Sequence, residues 1–555
     1  MNWYPLCNYT HYSLLKGFSK PDELAKKCKE NEYKACGIAD YKSLSGAVAF
    51  YQACIENDIR PIIGCSFDGF SLFAKNKRGW FDLIEIVSSI NPDGVVNSQV
   101  LLDSCSRNNL ISIAKDESLS PIKGEDFYVK KPCLLDIYYT KKSDAPLHRI
   151  LLTSGMKTTT PKINASLKSG QSVENQQFFE TSDFYLKDSV EMSEIIISED
   201  SGLENLYAIY DKCENYNILS KPNLPKFKTK NGETEEEYLK ELLRDGWRKL
   251  LIPSGKVDTE NKKQIYLDRF NKEFASIKKA NLFGYFLIVQ DIIRHVHECG
   301  WMSGPGRGSS SGCLISYLIG ITQVDPIEFD LLFERFYNDG RNTEERVSLP
   351  DIDIDVPTAT REPIIRYLKD KYGHNNVCQM TTFGRLQGKS ALKEVLRVGG
   401  ECGFGEMNEM TKGLPNEAEI SDQLQEMDEE ERSIIRWSLI NNPSDFRDYC
   451  TIKDNGELAG NYADYFAQAI GIEGTFKSQG KHAAGIVISS DELFRVCPMV
   501  NPKTGEEKIA GLEMSDLEAI GQVKFDLLGI SLLDKIMKNS KNYMFLQKIS
   551  MFDNK

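Results

Sequence analysis

The sequence predicts an α/β protein of several domains. Three observations point to it. The chain has 555 residues, room for roughly three or four domains of ordinary size. Residues 1–70 alternate helix-like and strand-like stretches. Much later, 348–356 and 521–529 alternate apolar and charged residues with period two, the mark of half-buried strands.

Composition narrows the class. Hydrophobic residues make up 41% and charged residues 27%, which suits a folded globular chain rather than a disordered one. No apolar run reaches the roughly eighteen residues of a membrane span. The start, MNWYPLCNYTHYS, lacks the basic and apolar regions of a signal peptide. The 14 cysteines lie scattered without a C-x-x-C pair, so reduced thiols in a cytoplasmic setting are expected. A net charge of −13 disfavours a chain that coats nucleic acid over its whole surface, but leaves room for a local basic stripe.

In chain order, Pro21 to Asn31 reads as a helix with Ser19 as N-cap. Ala35 to Ile38 and Pro61 to Gly64 read as short buried strands. Residues 70–200 read as the same domain with surface insertions, and Lys221 to Gly232 as a linker. Thr234 to Leu251 reads as an amphipathic helix, with Thr234 and Glu237 forming a capping box. A further helix covers Phe286 to His297 and ends at Gly300.

Four constellations carry chemistry. The loop Ser303 to Gly312 (SGPGRGSSSG) precedes an apolar run from Cys313 to Ile321. Its glycines permit close backbone approach, serines cap a helix start and Arg307 adds a cation: a phosphate cradle, or a flexible loop before a buried helix. In Ser348 to Val356 (SLPDIDIDV), Asp351, Asp353 and Asp355 share one face of a strand. Such a row repels itself unless a cation sits among the carboxylates, and hard oxygen ligands suit Mg2+. The alternative is an acidic edge strand facing solvent. In Gly521 to Gly529, Lys524 and Asp526 share a face; beside the Asp351 strand, Asp526 would reach the same metals. Together these are the parts of two-metal phosphoryl transfer. Finally, Arg385, Lys389, Lys393 and Arg397 recur every fourth residue. On a helix they make one basic face that tracks a DNA backbone or simply meets solvent, interrupted only by Glu394.

The runs GPGRGSSSGCLISYLIGITQVDPIEFDLLFERF, SLPDIDID, QMTTFGRLQGKSALKEVLRVGG, GKHAAGIVIS and VKFDLLGI, in that order, resemble the alpha-subunit family of bacterial DNA polymerase III, the C-family replicative polymerases. The resemblance covers residues 1–535 and is loosest at 66–200. It implies a PHP-like (polymerase-and-histidinol-phosphatase) α/β barrel at 1–225, followed by a polymerase-beta-type nucleotidyltransferase palm at 226–382 and 481–535. A helical thumb at 383–480 would be inserted into the palm, with a divergent tail at 536–555.

The resemblance further implies that Asp351, Asp353 and Asp526 are the catalytic carboxylates holding two Mg2+ ions. Arg307, Gly308, Ser309 and Lys524 would bind the incoming deoxynucleoside triphosphate, and Arg385, Lys389, Lys393 and Arg397 the primer-template DNA. Arg335 is a further candidate for a phosphate contact, and His482 stands where the chain re-enters the palm. The implied function is template-directed DNA polymerisation in replication, in the cytoplasm of a bacterial or phage-infected cell, with no membrane partner.

Two departures qualify this. Where the PHP family has metal-binding histidines, this chain has Cys7, Tyr9 and Tyr41, with Ser66 at a common acidic position. A degenerate PHP domain without metal is therefore expected, and a PHP phosphoesterase is disfavoured. Family members also continue into fingers and C-terminal domains beyond the third aspartate. A C-terminal half on a separate chain is the expected partner, with a truncated gene product, for instance from an interrupted phage gene, as the competing expectation. The alternative is a non-catalytic DNA-binding or assembly fragment, and whether the isolated chain is active stays open.

Overall fold

Proline at the first helical position, small residues in buried strands and glycines at turns set the local structure of the N-terminal segment. The computed structural model describes residues 3–198, 202–229, 231–338, 340, 349–453, 455–503 and 507–539. Contacts group the chain into one unit of Met1–Ile218, Thr382–Gly480 and Asn501–Gly505, and a second of Leu219–Thr381, Lys481–Val500 and Glu506–Lys555.

The first unit opens with β1 (Cys7–Asn8), β2 (Ala35–Ile38), β3 (Arg60–Ser66), β4 (Phe70–Ala74), β5 (Leu110–Ala114), β6 (Phe127–Val129) and β7 (Asp136–Ile137). β2 to β6 form one sheet in sequence order, and β1 pairs with β7 in parallel. The β2–β3 and β5–β6 pairs are parallel; β3–β4 and β4–β5 are antiparallel. Residues 70–129 thus supply three strands of the sheet as well as insertions. The first helix, Pro21–Glu30, is capped by Lys20 without a side-chain bond, not by Ser19 as the sequence suggested. Proline has no amide hydrogen to satisfy there, so the cap has less to do.

The second unit begins at 219. Residues 221–229 carry no regular structure, yet Leu224 and Phe227 pack on the unit's core, so the segment is more than a free linker. The helix Glu235–Gly246 starts at Thr234 with the expected capping box to Glu237 and passes into a π-helical turn, Trp247–Leu251. Glu260–Lys279 and Phe283–Glu298 follow; the second ends at Cys299, where Gly300 takes φ +70°. Then come β8 (Asp353–Pro357) and β9 (Val377–Arg385).

Residues 386–475 are mainly helical, from Gly388–Gly399 to Ala463–Ile472, with a small hairpin of β10 (Thr451–Ile452) and β11 (Leu458–Ala459). Leu392, Val395, Leu396, Phe446, Phe466 and Ile472 share a core with Tyr139 and Leu151 of the same unit. The chain continues through β12 (Phe476–Ile488), β13 (Met499–Val500), β14 (Ile509–Ala510) and β15 (Val523–Ile530). The six-stranded sheet runs β13-β14-β9-β12-β15-β8. Its buried face, with Ile352, Ile354, Val356, Val523, Phe525 and Leu527, meets Tyr285, Phe286 and Val289 of the Phe283–Glu298 helix. The divergent tail lies outside the described residues from 540 onward.

Candidate active site

Period-two alternation brings the carboxylates together. β8 and β15 are parallel neighbours in register, with Asp526 opposite Asp353 and Leu528 opposite Asp355. Ile352, Ile354 and Val356 turn into the core, which leaves the aspartates between them on the other face. Regular strand starts at Asp353, so Asp351 sits just ahead of it rather than within it. Ser348 lies outside the described residues. One oxygen from each of Asp351, Asp353 and Asp526 lies within 4.8 Å of the others, the one such grouping of His, Cys, Asp or Glu among the described residues.

Two cations offset part of this charge. Lys524 donates to Asp526 Oδ2 at 2.7 Å and stands 3.7 Å from Asp351 Oδ1. Arg307 reaches Asp353 Oδ1 at 2.9 Å and Asp355 Oδ1 at 3.4 Å. Burial raises the Asp353 carboxyl above the ordinary value; Arg307 opposes this, and the neighbouring aspartates reinforce it. Asp526 Oδ1 is buried with no hydrogen-bond partner among the described residues. A buried carboxylate oxygen without a donor is costly. An oxygen-only donor set with that orphan fits a hard divalent cation.

The glycine-rich loop lies against this face. Gly304 N donates to Asp355 O at 2.8 Å. A Cβ on Gly304 would stand 2.8 Å from that of Asp355, and one on Gly308, at φ +66°, would stand 3.2 Å from Asp353 Oδ2. The serines do not cap a helix as expected. Gly308–Gly312 is a 3-10 turn, and the following helix, Leu314–Leu318, is capped by Cys313. Its first amides already bond the buried Glu273, Leu314 N and Ile315 N each at 3.0 Å. With those amides taken by a carboxylate, that helix end is closed to an anion. The amides left for an anion are those of the preceding loop, around Gly308 and Ser309.

The basic stripe is altered too. Arg385 ends β9 and is not on the helix. Lys389, Lys393 and Arg397 lie on Gly388–Gly399. Glu394 is buried, not a surface interruption, and accepts from Arg397, Lys477 and Ser154. Lys393 donates to Asn408 Oδ1 at 2.6 Å. A helix face tied down in this way offers fewer free cations than its spacing suggests. Arg335 is exposed on the short Phe333–Arg335 turn. His482 Nδ1 accepts from Gly485 N at 2.7 Å, which shapes the local backbone.

In the first unit, the residues that the resemblance places at PHP ligand positions make protein contacts. Tyr9 Oη lies 3.0 Å from Ser66 Oγ and 3.4 Å from Asp136 Oδ1, and Lys130 pairs with Asp136. Asp40 accepts from Thr10 N at 2.7 Å and Ser13 Oγ at 2.6 Å; burial raises it to about 6 against those bonds. Burial pushes the Cys7 thiol up to about 12, so it stays neutral.

Residues 237–529 match the family model of the bacterial DNA polymerase III alpha NTPase domain. The chain belongs to the bacterial DNA polymerase III alpha family. Residues 6–153 match the PHP domain. Among curated relatives named DNA polymerase III subunit alpha, that of Pseudomonas aeruginosa is 29% identical over 95% of this chain and 47% of its own length. That of Staphylococcus epidermidis is 31% identical over 94% and 46%, and that of Bacillus subtilis 28% identical over 100% and 51%. The chain spans about half the length of the curated relatives it matches.

Arg269 and Glu273 hold the loop from behind, and little in the sequence singles them out. Their four-residue spacing is the only local signal, and i,i+4 pairs are common on exposed helices.

Proposed function

We propose that this chain carries the nucleotidyl-transfer site of a template-directed DNA polymerase acting in replication. The observation that carries the reading is the cluster of Asp351, Asp353 and Asp526, with its buried, partnerless Oδ1 on Asp526. These three carboxylates would hold two Mg2+ ions. When bound, magnesium lowers the pKa of a hydroxyl and offsets charge on a triphosphate.

The chain's own groups then have distinct tasks. Asp353 and Asp526 would supply oxygen ligands from paired strand positions, so their spacing is set by the sheet, and Asp351 would supply one from just ahead of β8. Arg307 and Lys524, now paired with those carboxylates, offer donors to phosphate oxygens. Gly308 and Ser309 let the backbone approach the triphosphate. In the reaction, a primer 3′-hydroxyl loses its proton and its oxygen bonds to the α-phosphorus of a deoxynucleoside triphosphate. The bond to the bridging oxygen breaks and pyrophosphate leaves.

The domain reading goes with it: PHP-like at 1–225, palm at 226–382 and 481–535, thumb at 383–480. Lys389, exposed on the helix, is the foremost DNA contact, with Arg385, Lys393 and Arg397 secondary, and the PHP-like part acts as scaffold. No described helix is long and apolar enough to cross a membrane; the cytoplasmic setting rests on the family resemblance.

Primer extension with Mg2+ tests the reading. The chain is assayed alone, with a polypeptide supplying the rest of the relatives' length, and as Asp526→Asn. Extension that the substitution abolishes supports the reading, and dependence on the second polypeptide makes it a two-chain enzyme. No extension in any arm, with the protein folded and DNA-bound, makes it a non-catalytic fragment.

A further inference from the structure

We propose that Arg269 and Glu273, one turn apart on the Glu260–Lys279 helix, are positioning residues that select which amides of the 303–313 loop face an incoming triphosphate. The proposal rests on the polymerase reading above and extends it to two residues outside the carboxylate cluster.

Glu273 is fully buried. Its oxygens accept from Leu314 N and Ile315 N at 3.0 Å each and from Cys313 Sγ at 3.4 Å. It therefore occupies the helix end that an anion would otherwise take. Arg269 holds Glu273 through Nε at 2.5 Å. Its Nη2 donates to Gly312 O at 2.6 Å and to Leu331 O at 2.9 Å. One planar guanidinium thus fixes the carboxylate, Gly312 near the end of the loop and the irregular segment at Leu331. An ammonium has no fork to do this.

At its other end the loop is tied by Gly304 N to Asp355 O. Gln323 N also donates to Pro305 O at 2.7 Å, so the part left to adapt to a ligand lies between these ties and the Gly312 anchor, from Gly306 to Ser311. That stretch contains Gly308, next to Asp353. The pair acts on the nucleotide through the loop, so its effect falls on nucleotide affinity and not on the metal cluster.

The full chain is titrated with a fluorescent dATP analogue in Mg2+, and separately with Mn2+ by electron paramagnetic resonance. Arg269→Lys, Glu273→Gln and Asp325→Asn are compared. Asp325 bonds Lys256 and Tyr266 in the same unit, so its loss controls for general loosening. The expected result is a roughly tenfold or greater loss of nucleotide affinity in the first two, the equivalent of one or two hydrogen bonds. Mn2+ affinity stays within about twofold of the parent. Losses no larger than in Asp325→Asn overturn the proposal.

Hydrogen exchange of amides 303–315 is the second readout. Faster exchange there in Arg269→Lys, with β8 unchanged, supports the anchor, and unchanged exchange overturns it. If the parent chain binds Mn2+ but no nucleotide, the polymerase reading fails while the exchange result still decides the anchor.

Discussion

Asp526 on β15 stands directly opposite Asp353 on β8, in a parallel pair that continues through Leu527 and Ile354. The register is fixed by the buried face, because a slip of one residue would turn Phe525 and Ile354 out of the core. The carboxylates are thus held together by apolar burial behind them, against their mutual repulsion. Asp526→Asn should remove the metal site while keeping the sheet. Mg2+ at a hundred times its Kd should stabilise the parent by about 2.7 kcal/mol, read as a rise in Tm. The variant should show no Mg2+-dependent rise.

Lys524 is the internal cation of the cluster and is almost fully buried. Lys524→Met leaves Asp526 without its 2.7 Å partner. In chelator, the variant should lose about 3 kcal/mol, the order expected when one member of a buried pair is removed. Mg2+ should recover more stability in the variant than in the parent, because the metal replaces the missing charge. Equal recovery in both, by denaturant unfolding with and without Mg2+, would count against a shared location for metal and ammonium.

Gly308 combines φ +66° with a position that would put a Cβ 3.2 Å from Asp353 Oδ2. Gly308→Ala pays the left-handed penalty of about 1–2 kcal/mol. The loop would relieve this by turning its amides, so nucleotide affinity should fall by about tenfold, the equivalent of 1.4 kcal/mol. A nucleotide titration of the folded variant checks it.

Much of this was legible in the sequence where local rules and the fold agree. The Thr234 capping box, the β2 strand and the shared face of Lys524 and Asp526 all follow from short-range patterns, and each stands where expected. Two of the failures share a cause, a distant partner that changes the meaning of a local signal. The serines of the 303–312 loop looked like helix caps, but Glu273, from another helix, takes the helix end. Glu394 looked like a surface interruption because its partners Ser154 and Lys477 are remote in sequence. Arg385 fell in step with the lysines, yet β9 extends through it.

The altered stripe changes what a DNA-binding experiment should find. Lys389 is exposed, whereas Arg397 is tied to Glu394. Lys389→Ala should lower the slope of log K against log salt by about 1, one phosphate contact, with little change in stability. Arg397→Ala should mainly cost stability, by removing one of the two cations that hold the buried Glu394 carboxylate. Salt titrations of primer-template binding, alongside denaturant unfolding, separate the two effects.

Glu394 gives a pH signature for the first unit. Burial alone would raise its carboxyl, but bonds from Arg397, Lys477 and Ser154 outweigh it and hold the group down to about 2. A carboxyl that ionises freely near 4.3 when unfolded then binds fewer protons in the folded state between those values. Its contribution is complete above about pH 5 and is lost as pH falls toward 2. Glu394→Gln keeps the shape but not the charge. It should cost about 3 kcal/mol at neutral pH and flatten the stability curve below pH 5. Buried His148, lowered to about 4 mainly by burial, adds a separate loss of stability as pH falls from about 6.5, and that part should persist in the variant. Denaturant midpoints from pH 7 to 3 for parent and variant distinguish the two limbs: parallel curves below pH 5 would place the acid sensitivity elsewhere.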